Sequence, residues 1–188
     1  MNLFSFREEI YIRGKIMGNY KEMEELINSL GNELWTFCLR LTNNKHEAED
    51  LYQDTMVKAL ELKAEIDFNQ NPRAYIYSLA VSINKNRFRK IFRRKSIAPI
   101  FDYDLNTIED CRQDTECKVI KREEKRNINI AISKLSEKQR PVILMFYMEE
   151  LSIRDISKYL NIPEGTVKSR LNSGRKILKK ELEVEDFE

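Results

Sequence analysis

This sequence predicts an all-α fold of two small helical domains joined by a flexible acidic linker, the second containing a helix-turn-helix. Three observations carry that expectation. Apolar residues recur at three- and four-residue spacing along most of the chain. Glycine and proline number only five and four in 188 residues, while 34% of residues are charged, a composition suited to long water-facing helices. The stretch 96–115 has no sustained period, holds Pro99 and is acidic, as linkers are. A chain of this length supports one or two modest cores. The boundaries that follow are an N-terminal extension over 1–18, a first domain over 19–95, a linker over 96–122 and a second domain over 123–188.

The elements follow in order. Met17 offers an alternative start, which makes the residues before it an extension or a disordered tail. Met23, Leu26, Ile27, Leu30, Leu34, Phe37 and Leu41 keep the spacing of one amphipathic helix, and Asn43-Asn44 stops it. A second helix opens near His46 and runs to about Lys63. Residues 67–72 (DFNQNP) form a loop, because Asn and Pro favour turns. A third helix spans 73–94, with Ile76, Leu79, Ala80 and Ile83 on its core side and Tyr75, Ser78, Ser82, Lys85, Asn86 and Arg89 on another stripe.

Helices resume near Glu116. Ser136 is a capping residue with Gln139 as its partner three positions on, and Pro141 falls in the first turn, where its missing N–H costs little. The apolar run 142–148 reads as a strand or as a buried helix. Ser152 caps the next helix with Asp155 as partner, and Ile153, Ile156, Tyr159 and Leu160 share a face. Residues 161–165 break the helix, and Pro163 suits a first helical position. Val167, Leu171, Gly174 and Leu178 then recur at helical spacing.

Net charge is only +2, but it is unevenly laid out. Residues 20–66 hold ten acids and five bases, 73–95 eight bases and no acid, 101–124 eight acids and four bases. Alternating blocks point to one surface for nucleic acid and another for a protein partner. In the last helix Lys168, Ser169, Asn172, Ser173, Lys176 and Lys180 face outward. Six bases stand against one acid, Glu164, over 162–180. Small polar and cationic side chains on a helix suit a DNA major groove. A plain solvated face, the alternative, normally mixes signs.

On the third helix the cations can neutralise phosphates. Aromatic residues beside the loop holding Phe68, Asn69, Gln70 and Asn71 can stack on extruded bases. Tyr75, Tyr77 and Phe68 are equally readable as packing residues. The acidic helix is different: Asp50, Gln53 and Asp54 share a face with Val57, a pattern for protein contact or for a solvated face.

Three cysteines (Cys38, Cys111, Cys117) and one histidine give no CxxC pair and no metal-ligand spacing. Cys38 fits a core position. No phosphate loop, glycine-rich fingerprint or nucleophile–base pair appears, so neither an enzyme nor a cofactor or metal is expected. No apolar run spans a membrane and the N-terminus lacks a signal-peptide core; a reducing cytoplasm is the expected compartment.

Three segments in order, AEDLYQDTMVKAL, NPRAYIYSLAVSINKNRFRK and LSEKQRPVILMFYMEELSIRDISKYLNIPEGTVKSRL, resemble the extracytoplasmic-function (ECF) group of bacterial RNA polymerase sigma factors, of the sigma-70 family. The resemblance implies a promoter-recognition subunit without chemistry of its own. Its first domain would bind the beta-prime clamp helices of core RNA polymerase through Asp50, Leu51, Gln53, Asp54 and Thr55, with Met56 standing where the family usually has Phe. The same domain would open the −10 element and hold flipped bases through Phe68, Asn69, Tyr75, Ser82, Lys85, Asn86 and Arg89; Ser82 stands where many members have Asn.

The second domain would read the −35 element through Thr166, Lys168, Ser169, Arg170, Asn172, Ser173 and Lys176. Asn172 and Ser173 replace larger or basic residues, which implies a −35 preference different from the family's usual one. The linker would thread through the polymerase, and an anti-sigma factor would hold the chain inactive. The rival reading is a conventional helix-turn-helix regulator that binds duplex DNA as a dimer.

Overall fold

The structure, a computed structural model, describes residues 3–62, 66–68, 70–95 and 117–183. Among the described residues every regular element is a helix: α1 (Leu3–Thr42), α2 (Lys45–Glu61), α3 (Pro72–Lys95), α4 (Cys117–Ser133), α5 (Arg140–Tyr147), α6 (Ile153–Leu160) and α7 (Glu164–Glu183). Of the linker expected over 96–122, residues 96–116 lie outside the described residues, and 117–122 are the first residues of α4. The expected N-terminal extension is helical where it is described. Residues 3–18 continue the first helix without a break, so α1 runs for 40 residues.

The first three helices form one bundle. Leu30, Leu34, Phe37, Cys38 and Leu41 of α1 meet Ala48, Leu51 and Ala59 of α2 and Ala74, Tyr77 and Ala80 of α3, all buried. Small residues on α2 and α3 let the axes approach, and Phe37 packs on Tyr77 with the rings tilted, 4.8 Å between ring centroids. Asn43 ends α1 in the left-handed region (φ 57°), a conformation Asn tolerates. Asn44 then caps α2, its side-chain oxygen accepting from Glu47 N at 3.1 Å. Burial pushes the Cys38 thiol up to about 12, with the Arg87 cation a smaller opposing influence. It is a core residue, as its position on the apolar face implied.

The second half packs α4, α5, α6 and α7. Val142 to Met145 are buried inside α5, so that run is helical; four consecutive buried positions show no polar alternation, and Tyr147 at the end of the helix is exposed. Ser136 and Gln139 do pair, one turn before the regular span of α5: Gln139 Oε1 accepts from Ser136 N at 3.1 Å and from Ser136 Oγ at 2.7 Å. Ser152 Oγ caps α6 by accepting from Asp155 N at 3.1 Å. Asn161 ends α6 with φ 51°. Its N–H bonds to Lys158 O and that of Ile162 to Ser157 O, the paired closure of a Schellman motif. Pro163 precedes α7, and its carbonyl accepts from Thr166 N and Val167 N.

The two halves share one buried cluster. Residues of α1, α2 and α3 are continuous with Ile132, Leu135, Val142 to Met145, Leu151, Ile156, Val167 and Leu171. α1 lies against α4 and α5, and α3 against α5 and α6. Among the described residues no helix is long and apolar enough to cross a membrane.

Gly174 sets how closely α7 approaches α5. A Cβ there would sit 2.8 Å from Ile143 Cγ1 and 2.9 Å from Ile143 Cδ1, and Ile143 is itself buried. Gly174→Ala is therefore expected to destabilise the chain by about 1–3 kcal/mol despite the better helix propensity of Ala. A urea-unfolding midpoint equal to or above that of the parent chain would contradict this packing.

Candidate nucleic-acid interface

α7 turns Val167, Leu171 and Gly174 inward and leaves Lys168, Ser169, Asn172, Ser173, Lys176 and Lys180 exposed, with Thr166 and Arg170 partly covered. Side-chain hydrogen bonds order this face. Ser169 Oγ donates to Thr166 O at 3.0 Å, and Ser173 Oγ donates to Ser169 O at 2.9 Å. Arg175 is committed elsewhere. Its guanidinium lies over the rings of Phe146 and Tyr147 at 5.3 and 5.6 Å, and its Nε donates to Tyr147 Oη at 2.7 Å. The cation is thus drawn toward α5.

α3 divides its cations. Ser82, Lys85, Asn86 and Arg89 are exposed on one stripe, with Lys90 and Arg93 beyond; Tyr75 is half-buried. Arg73 and Arg87 turn inward instead. Arg73 pairs with Glu33 of α1. Arg87 Nη2 donates to Asp54 Oδ2 at 2.6 Å, and its Nη1 donates to Glu47 O at 3.4 Å. The eight-base block therefore serves packing at two positions, a use that charge counting missed. The signal was present: Arg73, Tyr77, Ala80, Asn84 and Arg87 keep three- and four-residue spacing on one side of the helix, and Tyr77, Ala80 and Asn84 are buried.

On α2, Asp50, Gln53 and Asp54 are exposed, as is Val57 at 57% and Leu60 at 46%. Leu51 and Thr55, expected among the docking residues, are instead fully buried, and Thr55 Oγ1 donates to Leu51 O at 2.6 Å. Residues three or four positions apart share a face, so positions 51 and 55 fall with Ala48 and Ala59 on the core side of the helix. They support the exposed face and cannot touch a partner themselves.

The loop before α3 is partly described. Phe68 is half-buried, Asn69 lies outside the described residues, and Asn71 caps α3 by accepting from Ala74 N at 3.0 Å. The second half of the chain contacts the end of this loop at Gln70 and Asn71. Tyr159 Oη donates to Asn71 O at 3.1 Å, and Lys158 Nζ donates to Gln70 Oε1. Further along the same seam Glu149, only 5% exposed, lies 3.9 Å from Arg73.

The buried Tyr77 hydroxyl has the Glu149 carboxylate as neighbour without a hydrogen bond of good geometry. Burial raises the Glu149 pKa above the ordinary carboxylate value; Tyr77 and Arg73 oppose that rise and Glu33 adds to it. On the other side of the seam, Arg140 donates from Nη1 to Leu41 O at 3.0 Å and from Nη2 to Ser133 O and Leu135 O at 2.9 and 3.0 Å.

Two α-helical halves, one with a helix-turn-helix whose second helix exposes a basic polar face, define a DNA-binding class of protein. Comparison with known proteins narrows it. Residues 26–95 match the model of Sigma-70 region 2, and residues 126–178 match that of Sigma-70, region 4. The chain is 29% identical over 174 residues to the ECF RNA polymerase sigma factor SigW of Bacillus subtilis, covering 88% of this chain and 91% of that one. It is 30% identical over 151 residues to the ECF RNA polymerase sigma factor SigL of Mycobacterium tuberculosis, covering 80% and 82%.

In fold it is similar to the sigma factor RpoE of Bartonella quintana solved with the anti-sigma factor NepR, with a TM-score of 0.74, 22% identity and coverage of 87% and 98%. It also resembles CnrH solved with the cytosolic domain of CnrY, with a TM-score of 0.61, 19% identity and coverage of 93% and 96%. The chain belongs to the ECF RNA polymerase sigma factors, which are transcription-initiation factors.

The seam predicts a pH response. A carboxyl whose pKa is raised by packing favours the packed state when protonated, and that contribution is lost as pH rises through the folded-state pKa. Glu149→Gln is expected to raise the melting temperature at neutral pH and to have little effect in acid, where Glu149 is already neutral. Melting curves across pH check this; an equal shift at every pH, or a loss at neutral pH, would contradict it.

Proposed function

We propose that this chain binds core RNA polymerase and directs it to promoters with −10 and −35 elements, acting in the cytoplasm without a catalytic site of its own. The docking surface is the exposed α2 face of Asp50, Gln53, Asp54 and Val57, on the beta-prime clamp helices. The −10 element is held by Phe68, Asn69, Tyr75, Ser82, Lys85, Asn86 and Arg89. The −35 element is read by Thr166, Lys168, Ser169, Arg170, Asn172, Ser173 and Lys176.

The observation that carries this reading is the segregation of exposed charge by helix. α2 offers carboxylates beside exposed apolar side chains, which suits a protein and repels phosphate. α3 and α7 each offer a stripe of cations and small polar groups, which suits DNA. Neither stripe alone gives strong sequence-specific binding. Held by one polymerase, the two act at high effective concentration on a single promoter.

α6 packed over Gln70 and Asn71 supports a further step. Flipped bases can enter the loop only after Tyr159 and Lys158 withdraw, so docking on polymerase accompanies opening of the seam. The seam's polar make-up favours such a change, since Glu149, Arg73 and Arg140 regain water on separation. RpoE and CnrH, the similar structures, were solved with an anti-sigma factor and with the cytosolic domain of CnrY. By analogy with those complexes, a protein inhibitor of this chain would act by stabilising the shut arrangement.

Run-off transcription tests the reading. Core polymerase plus this chain should initiate from a distinct promoter set, while the chain alone should bind duplex DNA weakly. A footprint on a palindromic site by the isolated chain, with no start-site choice conferred on polymerase, would favour the dimeric regulator instead. Asp50→Lys should weaken polymerase binding by about tenfold or more, because like charges then face each other across the contact. Its affinity for −35 duplex should stay unchanged; unchanged polymerase affinity would remove α2 from the docking surface.

A further inference from the structure

A serine on a recognition helix is ordinarily an undiscriminating reader, since its hydroxyl both donates and accepts. Ser173 is not free in that way. Its proton is directed into the helix, toward Ser169 O at 2.9 Å and Arg170 O at 3.2 Å. One of its two acceptor positions is filled from outside α7, by Gln139 Nε2 at 3.0 Å.

The orientation of the Gln139 amide follows from its other end. Ser136 N–H can only donate, so the Gln139 atom facing it at 3.1 Å must be the carbonyl oxygen, and Ser136 Oγ donates to that oxygen as well at 2.7 Å. The amide NH2 is thereby turned toward Ser173. One side chain caps the approach to α5 with its oxygen and pins a groove-facing hydroxyl on α7 with its nitrogen.

What remains to Ser173 is one acceptor position on an exposed residue. In the major groove, adenine N6 and cytosine N4 are donors, whereas guanine O6 and thymine O4 are acceptors. A hydroxyl whose proton is already spent can receive the first pair and meets the second lone pair to lone pair. Ser169, one turn earlier, supplies the contrast. It also donates inward, to Thr166 O at 3.0 Å, but among the described residues no side chain of another helix donates to its Oγ, so only that one bond orients its hydroxyl.

We propose that Ser173, held by Gln139, is a specificity-determining residue that selects a base with an exocyclic amine, adenine or cytosine, over a keto base at one position of the −35 element. This rests on the reading of α7 as the −35 reader. Gln139 is the positioning residue; it need not touch DNA.

The test uses the full chain assembled with core polymerase and a pool of promoter fragments randomised across the −35 element, from which bound or transcribed fragments are sequenced. The parent chain should favour adenine or cytosine over guanine or thymine at one position by about three- to tenfold, the range of one neutral hydrogen bond. Ser173→Ala, an exposed helix substitution that should fold, should flatten that position and leave the others unchanged. Gln139→Met should lower the amino-to-keto ratio at the same position by freeing the hydroxyl to donate. A merely structural role for Gln139 would weaken binding equally at all sequences.

The inference is overturned if Ser173→Ala changes no position, if the position it changes prefers keto bases, or if Gln139→Met leaves the ratio intact. Lys168→Ala separates this from the parent reading. If it alters use of the −35 element while Ser173→Ala does not, only the serine assignment falls. If neither substitution affects any upstream position, α7 is not the reader and both fall.

Discussion

The Arg140 guanidinium is the joint on which the relation of the two halves rests. It sits at the start of α5, where the capping turn from Ser136 delivers it to the ends of two other helices. The last carbonyls of a helix lack partners within it. Arg140 supplies donors to Leu41 O near the end of α1 and to Ser133 O and Leu135 O at and just beyond the end of α4. A planar, permanently charged fork suits several carbonyls at once, where a lysine would not. The arrangement is imperfect, because Arg140 Nε is buried without a partner. A joint of this kind orders the halves without the gain of a purely apolar contact.

That constraint accounts for the division of surfaces. Through α1 and α3 the first half meets the second, the two pool their apolar residues in one cluster, and every helix still has a free side. α2 spends its free side on carboxylates beside exposed Val57 and Leu60. α3 and α7 spend theirs on cations, serines and asparagines. Arg87 links α3 to α2, reaching from the basic helix to Asp54 on the acidic one. The exposed charges contribute little to stability; they decide what the chain meets.

Much of this was legible in the sequence because periodicity and caps are local. Asn43-Asn44, Ser152 with Asp155, and Asn161 all end or begin helices as their side-chain chemistry dictates. The run 142–148 was ambiguous because its residues are uniformly apolar, buried or not, so neither period shows; Tyr147 is exposed despite its place in the run. Leu51 and Thr55 were placed on the docking face by resemblance to a motif, while the three-four spacing with Ala48 and Ala59 puts them inside. Arg73 and Arg87 were counted in the basic block of the third helix, but a count of charges ignores which side of a helix each one occupies, and both pair with carboxylates of neighbouring helices. The seam was not legible at all. Tyr159 with Asn71, Arg140 with Leu41 and Glu149 with Arg73 join residues 76 to 99 positions apart, and no local pattern announces such pairs.

In the function proposed, the chain alone is shut across this seam and opens on polymerase. The most direct measurement is the distance between two labels placed on exposed positions of the two halves, Glu49 on α2 and Arg154 on α6, each changed to Cys after Cys111 and Cys117 are replaced by Ser. A single short distance in the free chain that lengthens on binding core polymerase is the predicted result. The same distance in the free chain and in a polymerase complex that is actively initiating transcription would contradict the account.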